Sequence, residues 1–161
     1  AGPFPTELLN AEGERLRTVG VEFGSVTGRP RRTGWFDLPA YRYAYRINGL
    51  DGVALTKLDV LTGMNPLKVC IAYDTPQGRV EDLPIDLINE NNGAAKPVYK
   101  ELEGWSESLS EVRQLDALPR AAREYVRFIE EKGGVPLYSV SVGASRRQTI
   151  VLKDPFAEPA A

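Results

Sequence analysis

Three short segments carry residue types that could do chemistry. The first is Gly24-Ser-Val-Thr-Gly28-Arg-Pro-Arg-Arg-Thr-Gly34. Its glycines allow positive φ and close backbone approach, and hydroxyl and amide groups can coordinate anionic oxygens. Arg29, Arg31 and Arg32 add three permanently charged forks suited to carboxylate or phosphate, and Pro30 stiffens their presentation. The spacing is not that of a Walker phosphate loop. The bland alternative is a solvated basic turn. The second segment, Thr56-Lys57-Leu58-Asp59, follows a short apolar run, and the carboxyl ends of strands are where ligands sit in open α/β sheets. A carboxylate there can accept two hydrogen bonds, from N1–H and the exocyclic amine of guanine, a pair that adenine cannot supply. The Lys57 stem can lie along the base while its ammonium stays wet. The alternative is an ordinary strand end with a surface ion pair. The third, Ser141-Val142-Gly143-Ala144-Ser145-Arg146, is a strand end with a glycine turn. Its backbone could wrap the edge of a base, or it is simply a β-turn.

These segments need elements to position them. Gly2, Pro3 and Pro5 predict an extended or turning entry, after which Thr6 is placed to cap a short helix with Glu7 in its first turn. Residues 19–34 read as a basic, Gly-rich loop between short strands. Leu38, Tyr41, Ala44 and Tyr45 recur at helical spacing up to Asn48-Gly49. Short apolar runs predict strands at the start of 52–61 and over 67–73, with Asp74-Thr-Pro-Gln-Gly78 turning the chain into 79–83. Residues 86–96, with Asn89, Asn91, Asn92 and Gly93, read as a surface loop. Leu118-Pro119 opens the strongest helix, with Ala122, Tyr125, Val126 and Ile129 on one face and Lys132-Gly133-Gly134 as its stop. Residues 135–142 and 149–152 are extended, broken at 143–147. Trp35, Trp105 and Cys70 read as core residues. The pattern is mixed α/β, short strands with a few helices, and the length fits one domain over residues 1–161.

Composition narrows the classes. The chain has 161 residues, 20 Lys or Arg against 22 Asp or Glu, and a net charge of -2. That balance gives no support to phosphate-backbone binding, so nucleic acid is not an expected partner. The longest clean apolar run, Val69 to Tyr73, is far short of the roughly 20 residues of a membrane helix. A single cysteine leaves no internal disulfide and suits a reducing cytoplasm. Histidine is absent, which removes the commonest proton-transfer side chain near neutral pH. The start at Ala1, without an n-region and apolar stretch, suggests an excised piece of something longer.

Taken in order, several segments resemble adenylosuccinate synthetase. They are Ala1-Gly-Pro-Phe-Pro-Thr-Glu-Leu8, Glu22-Phe-Gly24 with Thr27-Gly-Arg29 and Arg31-Arg-Thr-Gly-Trp35, Leu55-Thr-Lys-Leu-Asp-Val-Leu61, Gly104-Trp-Ser-Glu-Ser108 and Asp154-Pro-Phe156. The resemblance runs over nearly the whole chain and corresponds to the C-terminal portion of that family's enzymes. It implies a GTP-dependent C–N ligase of AMP (purine) biosynthesis that joins IMP and L-aspartate: the IMP 6-oxygen is phosphorylated, then the aspartate amine displaces phosphate. It also implies that Ser25, Val26, Thr27, Gly28, Arg29, Pro30 and Arg31 hold aspartate, with Arg29 also near IMP and Arg31 on the GTP side. By the same resemblance, Lys57, Leu58 and Asp59 form the guanine pocket, which Ser141, Val142 and Gly143 close. Mg2+, the phosphate loop, the aspartate base and the acid histidine would precede this segment, so the chain alone is expected to be inert. The family is typically a cytoplasmic homodimer. Two positions depart from its pattern: Gly143-Ala144 replaces the usual Gly-Pro, and Pro30 stands where a basic residue is common. Other readings are a separate guanine-nucleotide binding module and a structural remnant without ligand.

Overall fold

The structure is a computed structural model that describes residues 2–89, 94–154 and 156. Ala1, Asn91, Asn92, Gly93 and Pro155, invoked above, lie outside the described residues. In chain order the elements are α1 (Ala11–Val19), β1 (Phe36–Asp37), α2 (Leu38–Asn48), β2 (Val53–Leu55), β3 (Leu67–Thr75), β4 (Gly78–Val80), α3 (Ile85–Asn89), β5 (Lys96–Leu102), α4 (Arg120–Gly133), β6 (Leu137–Ser141) and β7 (Thr149–Val151). Short 3-10 turns at Leu58–Leu61, Leu115–Ala117 and Arg146–Gln148 complete a mixed α/β fold. Packing divides the chain into two compact units, Ala1–Ile47 with Pro66–Leu102 and Asn48–Asn65 with Glu103–Ala161.

The first unit is organised by β3. It pairs with β1 in parallel and with β4 and β5 antiparallel. Leu67, Val69, Cys70, Ala72 and Tyr73 on β3 are all buried, the signature of a strand covered on both faces. Asp37, at the end of β1, accepts the Ala40 N–H (3.0 Å), and its other oxygen accepts the Tyr73 hydroxyl. Burial raises the Asp37 pKa above the usual carboxylate value. Burial likewise pushes the Cys70 thiol to about 11 and the Tyr99 phenol to about 12.

Three local expectations are corrected here. Thr6 caps no helix: it is buried, and segment 6–8 pairs with 33–35 through Leu8 N–H to Thr33 O (2.9 Å) and Trp35 N–H to Thr6 O (3.1 Å). The cap is Asn10, whose side chain accepts the Gly13 N–H at 3.1 Å. Residues 19–34 form the expected loop, with isolated bridges Phe23–Pro30 and Glu7–Gly34, but it follows helix α1 rather than a strand. The expected loop over 86–96 begins inside α3 and ends in β5, a strand the sequence reading did not foresee.

The second unit is a three-stranded sheet, β2-β6-β7, with α4 as its main helix. Ala121, Ala122, Tyr125, Val126 and Ile129 are buried at helical spacing. Burying Val126 and Ile129 contributes about 1.5–3 kcal/mol each relative to exposure. Gly134 ends the helix in the left-handed conformation (φ 69°), donating to Glu130 O at 2.9 Å. The Glu130 carboxylate accepts the Leu137 N–H (2.8 Å) and so ties α4 to the start of β6. The helical face, the stop and the strands 53–55, 137–141 and 149–151 all agree with the sequence pattern. Among the described residues no helix is long and apolar enough to cross a membrane.

Candidate functional site

The parallel pairing of β2 with β6 decides the geometry of the second unit. Leu55 stands opposite Val140, so the segments after both strands, Thr56–Asp59 and Ser141–Gly143, leave the sheet at the same end. The Lys57 N–H donates to Ser141 Oγ at 2.8 Å, a direct link across 84 residues of sequence. Lys57 adopts φ 62°, ψ 37°. A left-handed lysine costs about 1–2 kcal/mol, and such strain persists only where surrounding structure enforces it. Leu58 is buried in the core, so it can meet a ligand only through its backbone, and Val60 is buried beside it. These two anchors fix the 3-10 turn that presents Asp59. Its Oδ1 is buried and accepts no hydrogen bond among the described residues. Leaving an acceptor in that state costs about 1–3 kcal/mol, so it calls for a ligand or another explanation.

Asp59 lines a cavity of about 410 Å³, within the size range of small-molecule sites. Val142, Gly143 and Ala144 form one wall with Gln148. Ser106, Ser108, Leu109 and Ser110 form another, and Thr62 sits beside Asp59. Trp105 anchors the second wall: it is buried, its Nε1–H donates to Thr62 Oγ1 (3.0 Å), and its carbonyl accepts the Gly63 N–H (2.7 Å). Gly104 just before it admits no side chain, because a Cβ would collide with the Met64 carbonyl. The structure thus brings Asp59, Val142 and Gly143 to one cavity and adds Thr62, Ser106, Ser108, Ser110 and Gln148, which sequence reasoning missed. The signal available was the alternation Ser106-x-Ser108-x-Ser110 just after Trp105.

The first unit holds the arginine loop. Its backbone closes on itself: Gly24 N–H donates to Arg29 O (2.8 Å), Gly28 N–H to Gly24 O (2.9 Å) and Arg31 N–H to Glu22 O (2.9 Å). Gly28 is required by its φ of 64° rather than by crowding. Ser25, Val26, Thr27, Arg29 and Pro30 are exposed, Val26 at 94%. The Thr27 hydroxyl accepts the Arg29 N–H at 3.4 Å. The Arg31 carbonyl is held by Arg17 Nε (2.8 Å), while the Arg31 side chain pairs with Glu22 (3.4 Å) and Arg32 with Glu7 (2.6 Å). Of the three forks, only the Arg29 guanidinium has no partner among the described residues.

The described residues contain no group of three or more His, Cys, Asp or Glu that could hold a metal ion.

Comparison with known proteins matches both the sequence and this geometry. The family model described as Adenylosuccinate synthetase matches residues 1–150. The chain is 62% identical over 156 residues to the adenylosuccinate synthetase of Sorangium cellulosum, covering 97% of this chain and 36% of that protein. It is 52% identical to that of Myxococcus xanthus, covering 96% of this chain and 35% of the relative. A solved structure, that of fully ligated adenylosuccinate synthetase from Plasmodium falciparum, superposes with a TM-score of 0.87 at 38% identity, covering 95% of this chain and 37% of that one. The chain spans little more than a third of the relatives it matches, and over that span it belongs to the adenylosuccinate synthetase family.

Proposed function

We propose that this chain is the C-terminal part of an adenylosuccinate synthetase, a GTP-dependent ligase that joins IMP and L-aspartate in purine nucleotide synthesis, and that residues 1–161 serve as its base- and aspartate-binding domain. The observation that carries the reading is the orphaned Asp59 Oδ1 in a cavity walled by Val142 and Gly143. Guanine supplies two donors, N1–H and the 2-amino group, to a carboxylate whose buried Oδ1 has none among the described residues. The aliphatic stem of Lys57 covers the base, Leu58 contributes backbone, and Ser141–Gly143 closes over the remaining edge. Arg29, with its unpaired fork, and Thr27 bind the substrate aspartate carboxylates within the loop Ser25–Arg31. Arg29 also serves IMP, and Arg31 serves the GTP side. Magnesium and the groups that move protons belong to residues outside this chain, so the 161 residues alone form no adenylosuccinate. The whole enzyme is a cytoplasmic homodimer.

The test is Asp59→Asn in the full-length synthetase carrying this segment. Asparagine keeps an acceptor for N1–H but presents a donor where guanine's 2-amino group needs an acceptor, whereas xanthine offers a carbonyl at position 2. Sites built around buried hydrogen bonds discriminate by roughly a hundredfold or more when a partner is lost, so kcat/KM for GTP should fall by that order and XTP should become the better substrate. An unchanged preference for GTP removes Asp59 from the base pocket.

A further inference from the structure

We infer that Gln148 is a positioning residue for the base pocket, holding the Ser141–Gly143 turn and the Ser108–Ser110 wall at the separation the base requires; this rests on the base-pocket reading above. Gln148 sits at the end of the turn between β6 and β7 and makes four hydrogen bonds there. Its backbone carbonyl accepts the Val142 N–H (2.8 Å), and its own N–H donates to Ser145 O (2.8 Å). Its side-chain oxygen accepts the Ser145 N–H (3.1 Å), while the Ser145 side chain accepts from Arg147 N–H in return, a reciprocal capping box. Its side-chain amide donates to the Ser110 carbonyl at 3.2 Å. One side chain therefore joins both walls that face Asp59.

Gly143 provides an independent observation. The three atoms nearest a Cβ on Gly143 would all belong to the Gln148 amide, at 2.4–2.7 Å. The glycine is therefore needed because Gln148 occupies that space, and its φ is not left-handed. Any side chain at 143 would press first on the Gln148 amide and push it from Ser145 and Ser110. The two positions form one device: a glycine that makes room and a glutamine that uses the room to fix the turn.

The experiment is steady-state kinetics of the full-length synthetase with Gln148→Ala, Gln148→Met, Gln148→Glu, Gly143→Ala and the Gly143→Ala/Gln148→Ala double variant. Gln148→Met fills the same space without an acceptor, and it carries the test if Gln148→Ala does not fold. Gln148→Glu keeps an acceptor for the Ser145 N–H and the volume over Gly143. Loss of the acceptor should raise KM for GTP about five- to tenfold, with kcat and the KM values for IMP and aspartate unmoved. Gln148→Glu should restore KM only in part, because its carboxylate accepts the Ser145 N–H but cannot donate to the Ser110 carbonyl. Gly143→Ala should match Gln148→Ala, and the double variant should be no worse than either, because both lesions break the same contacts. The inference is overturned if Gln148→Met keeps the parental KM, if all three KM values rise together, or if the double variant shows additive losses. Asp59→Asn run alongside separates the two claims: a switch to XTP with silent Gln148 variants sinks only this inference, and no switch sinks the pocket itself.

Discussion

Asp59 stands one turn beyond a pair of parallel strands, whereas Arg29 stands on an exposed loop supported chiefly by its own backbone. The base pocket is a cavity pinned by hydrogen bonds of the Trp105, Ser141 and Gln148 side chains. The loop has no such walls, and Val26 at its tip packs on nothing among the described residues. Each region nonetheless keeps one unsatisfied group, an acceptor in the pocket and a fork in the loop. Discrimination between bases needs a rigid, desolvated partner, because an unpaired buried donor or acceptor is what penalises the wrong ligand. A small dianionic substrate needs mainly charge in the right geometry, which an exposed loop with a fixed backbone supplies. The comparison predicts that the two regions fail independently.

After the loss expected of Asp59→Asn, the largest effect should come from Arg29. Arg29→Ala removes a charge-assisted, two-pronged contact worth about 1.5–3 kcal/mol, so KM for aspartate should rise roughly ten- to a hundredfold. Arg29→Lys should recover little of it, because an ammonium is a point donor where the carboxylate meets a fork. KM for GTP should not move in either variant. A rise in both constants would break the comparison, since loop and pocket would then share one ligand contact.

How far this division could be read from sequence depended on the range of the interactions. The strands 53–55 and 67–75 and helix 120–133 were legible because apolar runs, helical spacing and Gly or Pro stops are local signals. Asn10 was not, because Thr6-Glu7 offers the same capping chemistry a few residues earlier and only pairing with 33–35 disqualifies it. β5 was hidden by Pro97 and three charged residues, which an edge strand tolerates: β5 pairs with β3 alone. In the site, Asp59 and the turn at Gly143 could be nominated separately, but their union depends on a contact 84 residues apart. The arginines divided for the same reason. Arg31 and Arg32 find Glu22 and Glu7, 9 and 25 residues away, and nothing local marks Arg29 as the one left over.

A smaller effect sharpens the account of the pocket. Lys57 bears a left-handed strain of about 1–2 kcal/mol, against which glycine loses about 0.5–1 kcal/mol of extra chain entropy. Lys57→Gly keeps the N–H that donates to Ser141. Thermal unfolding should therefore show a net gain of up to about 1 kcal/mol, or roughly 2–4 °C in Tm. GTP affinity should fall at the same time, because the stem over the base is gone. A variant that is less stable as well as weaker would mean that the Lys57 side chain holds the pocket together instead of covering the base.

The smallest effect concerns a second carboxylate, which serves as the internal control for Asp59. Both Asp37 oxygens already accept a hydrogen bond from the protein, one from Ala40 N–H at 3.0 Å and the other from the Tyr73 hydroxyl, unlike the Asp59 Oδ1. Burial is the dominant influence on it and raises its pKa from 3.8 despite those two donors. The folded state then holds the proton to higher pH than the unfolded chain does. Below 3.8 both states are protonated and burial of the charge costs nothing. As pH rises from there through the raised folded value, the unfolded chain ionises first and stability falls, after which the difference stays constant. Asp37→Asn, which cannot ionise, should lack this slope. Urea unfolding of parent and variant across pH 3.5 to 7 should therefore show the parent losing ground to the variant as pH increases. A parent that gains on the variant instead would mean that the Tyr73 and Ala40 donors outweigh burial. Asp37 would then be a carboxylate stabilised in its charged form by donors from the protein, as Asp59 is proposed to be by donors from guanine.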